Sequence, residues 1–280
     1  MGILVAKNLI LPGRKLVLWL KTILLILALP LGAWSGSVHQ VVAQIALNQL
    51  SKAEQARIQA VMGDLLEIAP EPDGYREISK ILAGWHYIDY PWVSEPVSQA
   101  IDLVSPKNNI VWALKESKRV IKKSLKGHKK RFPEFERIFK TNFVHLMGDL
   151  HQPLHCISRV TEKHPSGDQG GNLFDVFWKQ KKIRLHLLWD IGFDTLDSLT
   201  QAQIQALAQE IAQEIPPEEI KGSFEEWSKE SYNYARTQVY QAVEGQPVSP
   251  EYVEKSKKLI RKRLAQAGYR LAKELKEIIL

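Results

Sequence analysis

The sequence predicts an all-α protein, a single domain of packed helices with one small β-hairpin insert. Apolar residues recur at helical spacing over most of the chain, as in Val41, Ile45, Ile58 and Val61 of the first long stretch. Two short strand-like segments around one polar turn are the only strand signal of note. With 280 residues, of which 45% are hydrophobic, the chain is long enough to bury a sizeable core.

The first 33 residues have the pattern of a secretory signal peptide. They contain four basic and no acidic residues, and the apolar run 22–31 leads to Gly32-Ala33. The run is short for a membrane span, which needs ~20 apolar residues, and an uncleaved anchor is the alternative. We expect cleavage after Ala33, a mature domain over 34–280, and a secreted or periplasmic protein without stable membrane association. Cleavage takes the formal net charge from +7 to +3, which is weak support for an anionic partner.

The other elements follow from periodicity and from helix-breaking residues. Pro153 should end a long helix near His151. Segments 173–178 and 183–189 flank the turn 179–182 and read as the hairpin. Cys156 is the single cysteine, so no intramolecular disulfide can form. Helices are predicted over 38–66, 109–126, 132–150, 199–214, 224–243 and 250–279, and loops over 70–74, 85–96 and 159–171.

His145 and Asp149 are the first candidate site residues. They lie four residues apart on the predicted helix 132–150, so both side chains share one face. Their neighbours on the helix are apolar, and a buried imidazole or carboxylate needs a partner. A metal ion is one such partner, and a simple buried His–Asp hydrogen bond is the other.

Further histidines and aspartates surround this pair in the sequence. Neutral imidazoles and carboxylates are ligands that suit Zn²⁺, and the near absence of cysteine excludes a Cys-rich structural zinc site. Several pairs from separate helices favour a multinuclear site, which fits phosphoester hydrolysis because paired metals activate water and hold the attacking and leaving oxygens. A helical bundle with buried polar networks is the alternative. The additional candidates are His39, Asp73, His86, His155, His186 and Asp190.

An ordered set of motifs covers the chain from Trp34 to its end. These motifs are Trp34 with His39, Asp73 with Arg76, WHYID at 85–89, HLMGDLHQPLH at 145–155, DQGGN at 168–172, LHLLWD at 185–190 and AGYRLA at 267–272. Together they resemble the single-strand-specific zinc nucleases and 3′-nucleotidases of fungi, plants and bacteria. That family shares an all-helical fold with bacterial zinc-dependent phospholipase C.

The resemblance implies a centre of three zinc ions. One would be held by Asp73, His86, His145 and Asp149, a second by His155, His186 and Asp190, and the third by the amino nitrogen and carbonyl oxygen of Trp34, His39 and the bridging Asp149. A free α-amine at Trp34 exists only after cleavage, so the expected signal peptide would control the third ion.

The resemblance also implies single-stranded nucleic acid and 3′-nucleotides as substrates, with no obligate protein partner. Arg76 would neutralise the phosphoryl oxygens, and Asp73 could accept a proton while serving as a ligand. Tyr87 would stack a nucleobase and Asp89 would accept hydrogen bonds from its edge, although core packing is the other explanation for Tyr87. Asn172 either orients substrate or supports the hairpin.

The sequence leaves two alternative functions open, and the basic segment 115–131 has two explanations. Phospholipase C activity could arise from the same metal core, and a membrane-anchored, non-catalytic zinc-binding protein would follow if residues 1–33 were retained. The basic segment 115–131 could track a phosphate backbone, but a solvated helix face explains its charges better.

Overall fold

The computed structural model describes residues 34–98, 107–127, 133–217 and 220–280. Within these residues the chain is helical apart from two small sheets, which confirms the predicted all-α fold with a small β insert. The expected signal peptide lies outside the described residues, as does 128–131 of the basic segment. The helices are α1 Gly36–Asn48, α2 Lys52–Met62, α3 Leu65–Ile68, α4 Glu71–Ile78, α5 Lys80–Ala83, α6 Ile110–Leu125, α7 Pro133–Asp149, α8 Leu185–Asp190, α9 Gln201–Glu214, α10 Phe224–Thr237 and α11 Pro250–Ile279.

Most of the predicted helices are confirmed, but the first one is divided. The stretch 38–66 forms α1, α2 and α3 because polar residues start new helices within it. Ser51 caps α2 in a capping box with Glu54. Gly63, at φ 92°, ends α2, and the Asp64 side chain caps α3.

The predicted loop at 70–74 is wrong, because α4 begins there. Pro72 lies in the first turn of α4, where the missing N–H of proline costs no helical hydrogen bond. The prolines mark the start of a helix rather than a break between helices. As a consequence, Asp73 and Arg76 lie on a helix.

The hairpin forms, but its second strand is shorter than predicted. β3 (Asp175–Trp178) pairs antiparallel with β4 (Lys181–Arg184). The turn residues Lys179 and Gln180 both have positive φ, as a two-residue type I′ turn requires. The remainder of 183–189 is α8, because Leu185, Leu188 and Trp189 are buried at helical spacing.

A second sheet was not predicted. In this sheet β1 (Pro91–Val93) pairs in parallel with β2 (Ser158–Val160). Each strand has only three residues, too few for a period-two pattern to show, and β1 lies in the predicted loop 85–96. The pairing joins the segment after His86 to the segment after His155.

The core is centred on α1, α7 and α11. Helix α1 packs against α11, α9, α3 and α7. Gly268 permits the closest approach of α1 and α11, since a Cβ there would lie 2.4 Å from Ile45 Cγ2. Three short 3₁₀ helices, Gly84–His86, Pro153–Cys156 and Val239–Gln241, complete the described elements. Of the helices in the described ranges, none is both long and apolar enough to cross a bilayer.

A buried charge network holds the bend that follows α7. Arg270 on α11 donates from one guanidinium nitrogen to His151 Nε2 at 2.9 Å and to Glu230 Oε2 at 2.7 Å. Arg263 donates from Nε to the His151 carbonyl at 3.1 Å. Both arginine side chains are fully buried. The bend between Asp149 and His155 is therefore fixed by α10 and α11.

Replacing Arg270 tests this network. We expect Arg270→Leu to lower the free energy of unfolding by about 3 kcal/mol, because Glu230 and His151 lose a buried partner. Urea unfolding followed by circular dichroism measures the effect. The matched control is Arg261→Leu on the same helix, whose partner Glu214 is half exposed, so a loss below about 1 kcal/mol is expected. Equal losses in the two variants would contradict the role of the network.

Candidate metal centre

Six separate elements bring the predicted ligands into one cavity. His39 comes from α1, Asp73 from α4, and His86 from the 3₁₀ helix Gly84–His86. Asp149, in the last turn of α7, is fully buried. The ligand atoms form three groups, each within 4.8 Å: His39 with His145 and Asp149, Asp73 with His86 and His145, and His155 with His186 and Asp190.

The Asp149 carboxylate lies at the centre and faces four imidazoles. Its Oδ2 is 2.8 Å from His86 Nδ1 and 3.1 Å from His145 Nε2. Its Oδ1 is 3.3 Å from His155 Nδ1 and 3.5 Å from His39 Nε2. One carboxylate thus faces side chains from all three groups, as a bridging ligand would.

The second His–Asp pair forms the other side of the cavity. His186 Nε2 lies 3.4 Å from Asp190 Oδ2, and His155 Nε2 lies 3.7 Å from Asp190 Oδ1. The rings of His155 and His186 are stacked with centroids 5.0 Å apart. Because His186 and Asp190 are four apart on α8, one short helix supplies both.

Asp73 and Arg76 form the solvent-facing edge of the cavity. Asp73 Oδ1 is 3.7 Å from His145 Nε2 and 3.3 Å from an Arg76 guanidinium nitrogen. The Asp73 side chain is 33% exposed, whereas the other carboxylates of the cavity are buried. Asp73 is thus the candidate ligand most accessible to solvent.

Backbone carbonyls orient several of the imidazoles. His145 Nδ1 donates to Ala69 O at 2.8 Å, and His186 Nδ1 donates to Gly170 O at 2.6 Å. Gln152 Nε2 donates to Asp190 Oδ1 at 2.8 Å. Each donation leaves the opposite ring nitrogen, or the second carboxylate oxygen, directed into the cavity. Metal-binding histidines are usually oriented in this way.

The buried atoms of the cavity fit a metal ion. Within the described residues, ring nitrogens of His39, His86, His155 and His186 lack hydrogen-bond partners, and so does Asp190 Oδ2. Buried polar atoms without partners are rare in folded proteins, so this cluster is suited to hold a ligand. Tetrahedral zinc at ~2.0–2.2 Å places its ligand atoms ~3.3–3.6 Å apart, close to the separations found here.

The electrostatics of the cavity also favour a cation. Burial opposes ionisation of Asp149, but the facing His145 and His155 hold its pKa well below the ordinary value. Burial lowers the pKa of His39 to about 3 and that of His86 to about 4. These two rings therefore stay neutral, which is the form that binds metal.

Trp34 lies beside the second His–Asp pair. Its side chain is fully buried, and the N–H of the next residue, Ser35, donates to the backbone carbonyl of Asp190 at 3.4 Å. The backbone at position 34 is thereby held close to α8. The role of Trp34 as a ligand together with His39 and Asp149 stays a prediction.

The predicted substrate residues lie along the segment after His86. The N–H of Ile88 donates to His155 O at 2.8 Å, so Tyr87 and Asp89 flank the cavity. Both are half-buried, and burial together with Asp168 raises the pKa of Asp89 to about 7. Asn172 Nδ2 donates to Gln169 O within its own loop, and its buried Oδ1 has no hydrogen-bond partner among the described residues, so both predicted roles of Asn172 stay predictions.

The outer face of α6 is largely neutralised by acidic partners. Lys115 pairs with Glu225, and Lys118 lies 2.7 Å from Glu274 and 3.0 Å from Glu277. These pairs leave fewer charges for a phosphate backbone than the sequence suggests. They agree with the interpretation of 115–127 as a solvated helix face.

Sequence reasoning missed the residues that position the ligands. Gln152 and Gly148 lie inside the motif HLMGDLHQPLH, yet only the spacing of its histidines and aspartate was interpreted. A Cβ at Gly148 would lie 2.8 Å from His39 Nδ1. His151, in the same motif, bonds to Met147 O and Arg270 and is structural.

A helical protein with adjacent His/Asp groups around one bridging carboxylate is, by class, a candidate multinuclear metallohydrolase. The S1/P1 Nuclease family profile matches residues 34–280, and the chain belongs to that family. The predicted family is therefore confirmed. Membership of this family supports a hydrolase that acts on nucleic acids. It disfavours two of the alternatives above, phospholipase C activity and a helical bundle with buried polar networks alone.

Named relatives agree with this assignment. Endonuclease 2 of Arabidopsis thaliana is 24% identical over 290 residues, covering 95% of this chain and 98% of the relative. Nuclease S1 of Aspergillus oryzae is 22% identical over 272 residues, covering 85% and 89%. Endonuclease 5 of Arabidopsis thaliana is 32% identical over 150 residues, covering 48% of each chain.

The close contact at Gly148 gives a test of the His39 group. We expect Gly148→Ala to reduce metal affinity at that group about 10–100-fold, because the added methyl displaces the His39 ring. The ring cannot retreat freely, since it stacks on His145 with centroids 3.6 Å apart. Metal content after dialysis against graded chelator measures the loss. Gly74→Ala is the control, with no atom within 4 Å of its Cβ, and a similar loss there would contradict the explanation.

Proposed function

We propose that this protein is a secreted, zinc-dependent phosphodiesterase that cleaves single-stranded DNA and RNA to 5′-nucleotides and also removes phosphate from 3′-nucleotides. The observation that carries the proposal is the convergence of three His/Asp groups on the buried Asp149 carboxylate. Family membership supports the nuclease part of the proposal. The zinc, the strand preference and the 3′-nucleotidase activity rest on the donor set and the surface beside it.

The donor set favours zinc over magnesium or calcium. Each group contains at least one imidazole nitrogen, whereas hard cations prefer all-oxygen sites. Within the three groups, the side chains that would hold the ions are His39, Asp73, His86, His145, Asp149, His155, His186 and Asp190. Zinc, when bound, acts as a Lewis acid toward water and the scissile phosphoester.

The chain's own residues position and neutralise the substrate. Arg76 at the cavity edge would pair with the non-bridging phosphoryl oxygens, whose negative charge grows in the transition state. An Asp73 carboxylate oxygen, 3.3 Å from Arg76, is the solvent-exposed acceptor for a proton released from the attacking water. Asp149, on the buried side of the cavity, would fix the relative positions of the three His/Asp groups.

Tyr87 and Asp89 would receive the nucleobase next to the scissile phosphate. Stacking on a tyrosine ring tolerates any base, and the Asp89 carboxylate would accept a hydrogen bond from a base edge. A base in this position cannot remain paired in a duplex, so the arrangement favours single-stranded substrate. The raised pKa of Asp89, about 7, makes this acceptor strongest above neutral pH.

His145 gives the direct test of the catalytic proposal. We expect His145→Ala to reduce cleavage of single-stranded DNA and RNA by at least about 10³-fold, because it removes an imidazole shared by two groups. Release of acid-soluble nucleotides measures turnover. His164→Ala is the control, as His164 belongs to none of the three groups. Full activity in His145→Ala would remove the catalytic-metal hypothesis.

The N-terminus gives a second test, of the expected cleavage. A chain that starts at Trp34 offers a free α-amine near Asp190, whereas one extra residue before Trp34 turns that amine into an amide. We expect the extended chain to bind one fewer zinc equivalent, measured by elemental analysis alongside N-terminal sequencing. Equal zinc content in the two chains would show that the free Trp34 amine is not needed to bind the third ion.

A further inference from the structure

A strip of aromatic and basic side chains extends from the metal centre across β1 and α10. We define this aromatic–cationic strip as Tyr90, Trp92, Lys229, Tyr232 and Arg236. Tyr90 directly precedes β1, and Trp92, the central residue of β1, follows it by two positions, which places the two side chains on the same side where the backbone is extended. None of the five is a predicted metal ligand or catalytic residue.

Rings and cations alternate along the strip. Lys229 Nζ lies 3.2 Å from the Tyr90 ring centroid and 5.8 Å from that of Tyr232. The Tyr90 and Tyr232 rings meet edge to face with centroids 6.0 Å apart. The Arg236 guanidinium lies 5.9 Å from the Tyr232 centroid. The three aromatic rings are half-buried, and both cations are exposed.

The two cations have no acidic partner within the described part of the chain. Neither Lys229 nor Arg236 forms an ion pair there, in contrast to the basic residues of α6. Burial raises the pKa of Tyr90, and the nearby carboxylate of Glu225 contributes to this rise. That carboxylate is itself paired with Lys115. The strip therefore keeps its positive charge.

The strip is continuous with the metal centre. The N–H of Ile88 donates to His155 O, and that of Ser158 donates to Tyr90 O at 2.9 Å. β1 then runs beside β2, three residues beyond His155. A strand whose phosphate occupies the metal centre could therefore continue over Tyr90 toward α10.

We propose that the aromatic–cationic strip binds the part of a single-stranded nucleic acid that extends beyond the scissile phosphate. Lys229 and Arg236 contact backbone phosphates, and Tyr232 and Trp92 offer ring surface for base stacking. Charge complementarity and continuity with the metal centre select this occupant. The inference rests on the proposed function, because it concerns the substrate of the same site.

The test compares a long strand with a dinucleotide. The dinucleotide used is a dinucleoside monophosphate without terminal phosphates, whose single phosphate must occupy the metal centre, so none remains for the strip. For the double variant K229A/R236A we expect KM for a single-stranded DNA of about 12 nucleotides to rise about tenfold, with kcat unchanged. Turnover of the dinucleotide should stay within about twofold. The slope of log KM against log salt should fall by about 1.4, the effect of two lost phosphate contacts on a single strand.

The matched control is Arg57→Ala on α2, which removes an exposed positive charge at a helix that packs against α11. Tyr232→Phe should keep strand affinity, whereas Tyr232→Ala should lower it, with thermal unfolding reported for every variant. Equal effects on strand and dinucleotide, or an equal effect of Arg57→Ala, would overturn the inference.

A second measurement separates this inference from the proposed function. Binding of a fluorescent strand of about 12 nucleotides is measured in the His145→Ala background, where turnover is not needed. Weaker binding of K229A/R236A in that background supports the strip even if the wild-type protein cleaves no DNA or RNA. Unchanged binding rejects the strip even if the wild-type protein is an active nuclease.

Discussion

The buried Asp149 carboxylate is the group on which the rest of the structure depends. It is fully buried and faces imidazoles from α1, α7 and two 3₁₀ helices, so four segments must hold their positions for its charge to be compensated. An isolated carboxylate in such a place would be costly. Burial lowers the pKa of His145 and His155, but Asp149 together with Asp73 beside His145 and Asp190 beside His155 outweighs this effect and raises both. The cavity therefore favours positive charge, which a divalent cation supplies without a proton.

The helical scaffold fixes the bend that follows Asp149. Asp149 and His155 belong to different candidate metal-binding groups, yet only five residues separate them. Arg263 and Arg270 hold His151 from the core side, and Gln152 bonds to Asp190 on the cavity side. Helix α11 thus supports a site whose candidate ligands all come earlier in the chain, between His39 and Asp190. Both arginines bond to His151, which is not a predicted ligand, so their effect on the site is to position the bend.

The spacing of histidines and aspartates predicts two His–Asp pairs, because helical periodicity places residues four apart on one face, whereas the assignment of ligands to three groups came from the family resemblance. The same spacing relates His145 to Asp149 and His186 to Asp190. For the second pair the sequence predicts a strand at 183–189, whereas the structure has helix α8 there. Elements without a periodic signal are not predicted. The prolines of 70–74 favour a loop where α4 begins. The strands β1 and β2 have three residues each, too few to show an alternation of apolar and polar side chains. The ion pairs of α6 with Glu225, Glu274 and Glu277 join residues more than 100 positions apart, so its basic face looked more available than it is.

Those ion pairs bear on where a negatively charged strand can bind. A phosphate backbone gains from cations that it does not have to separate from carboxylates, since each displaced ion pair offsets the new contact. The most basic segment of the sequence is therefore not the best surface in the fold. Lys229 and Arg236 are fewer, yet they are exposed, lack acidic partners among the described residues and lie beside rings that follow the segment from His86. The proposed path of the strand therefore follows Lys229 and Arg236 rather than the more numerous cations of α6, which are largely paired with carboxylates.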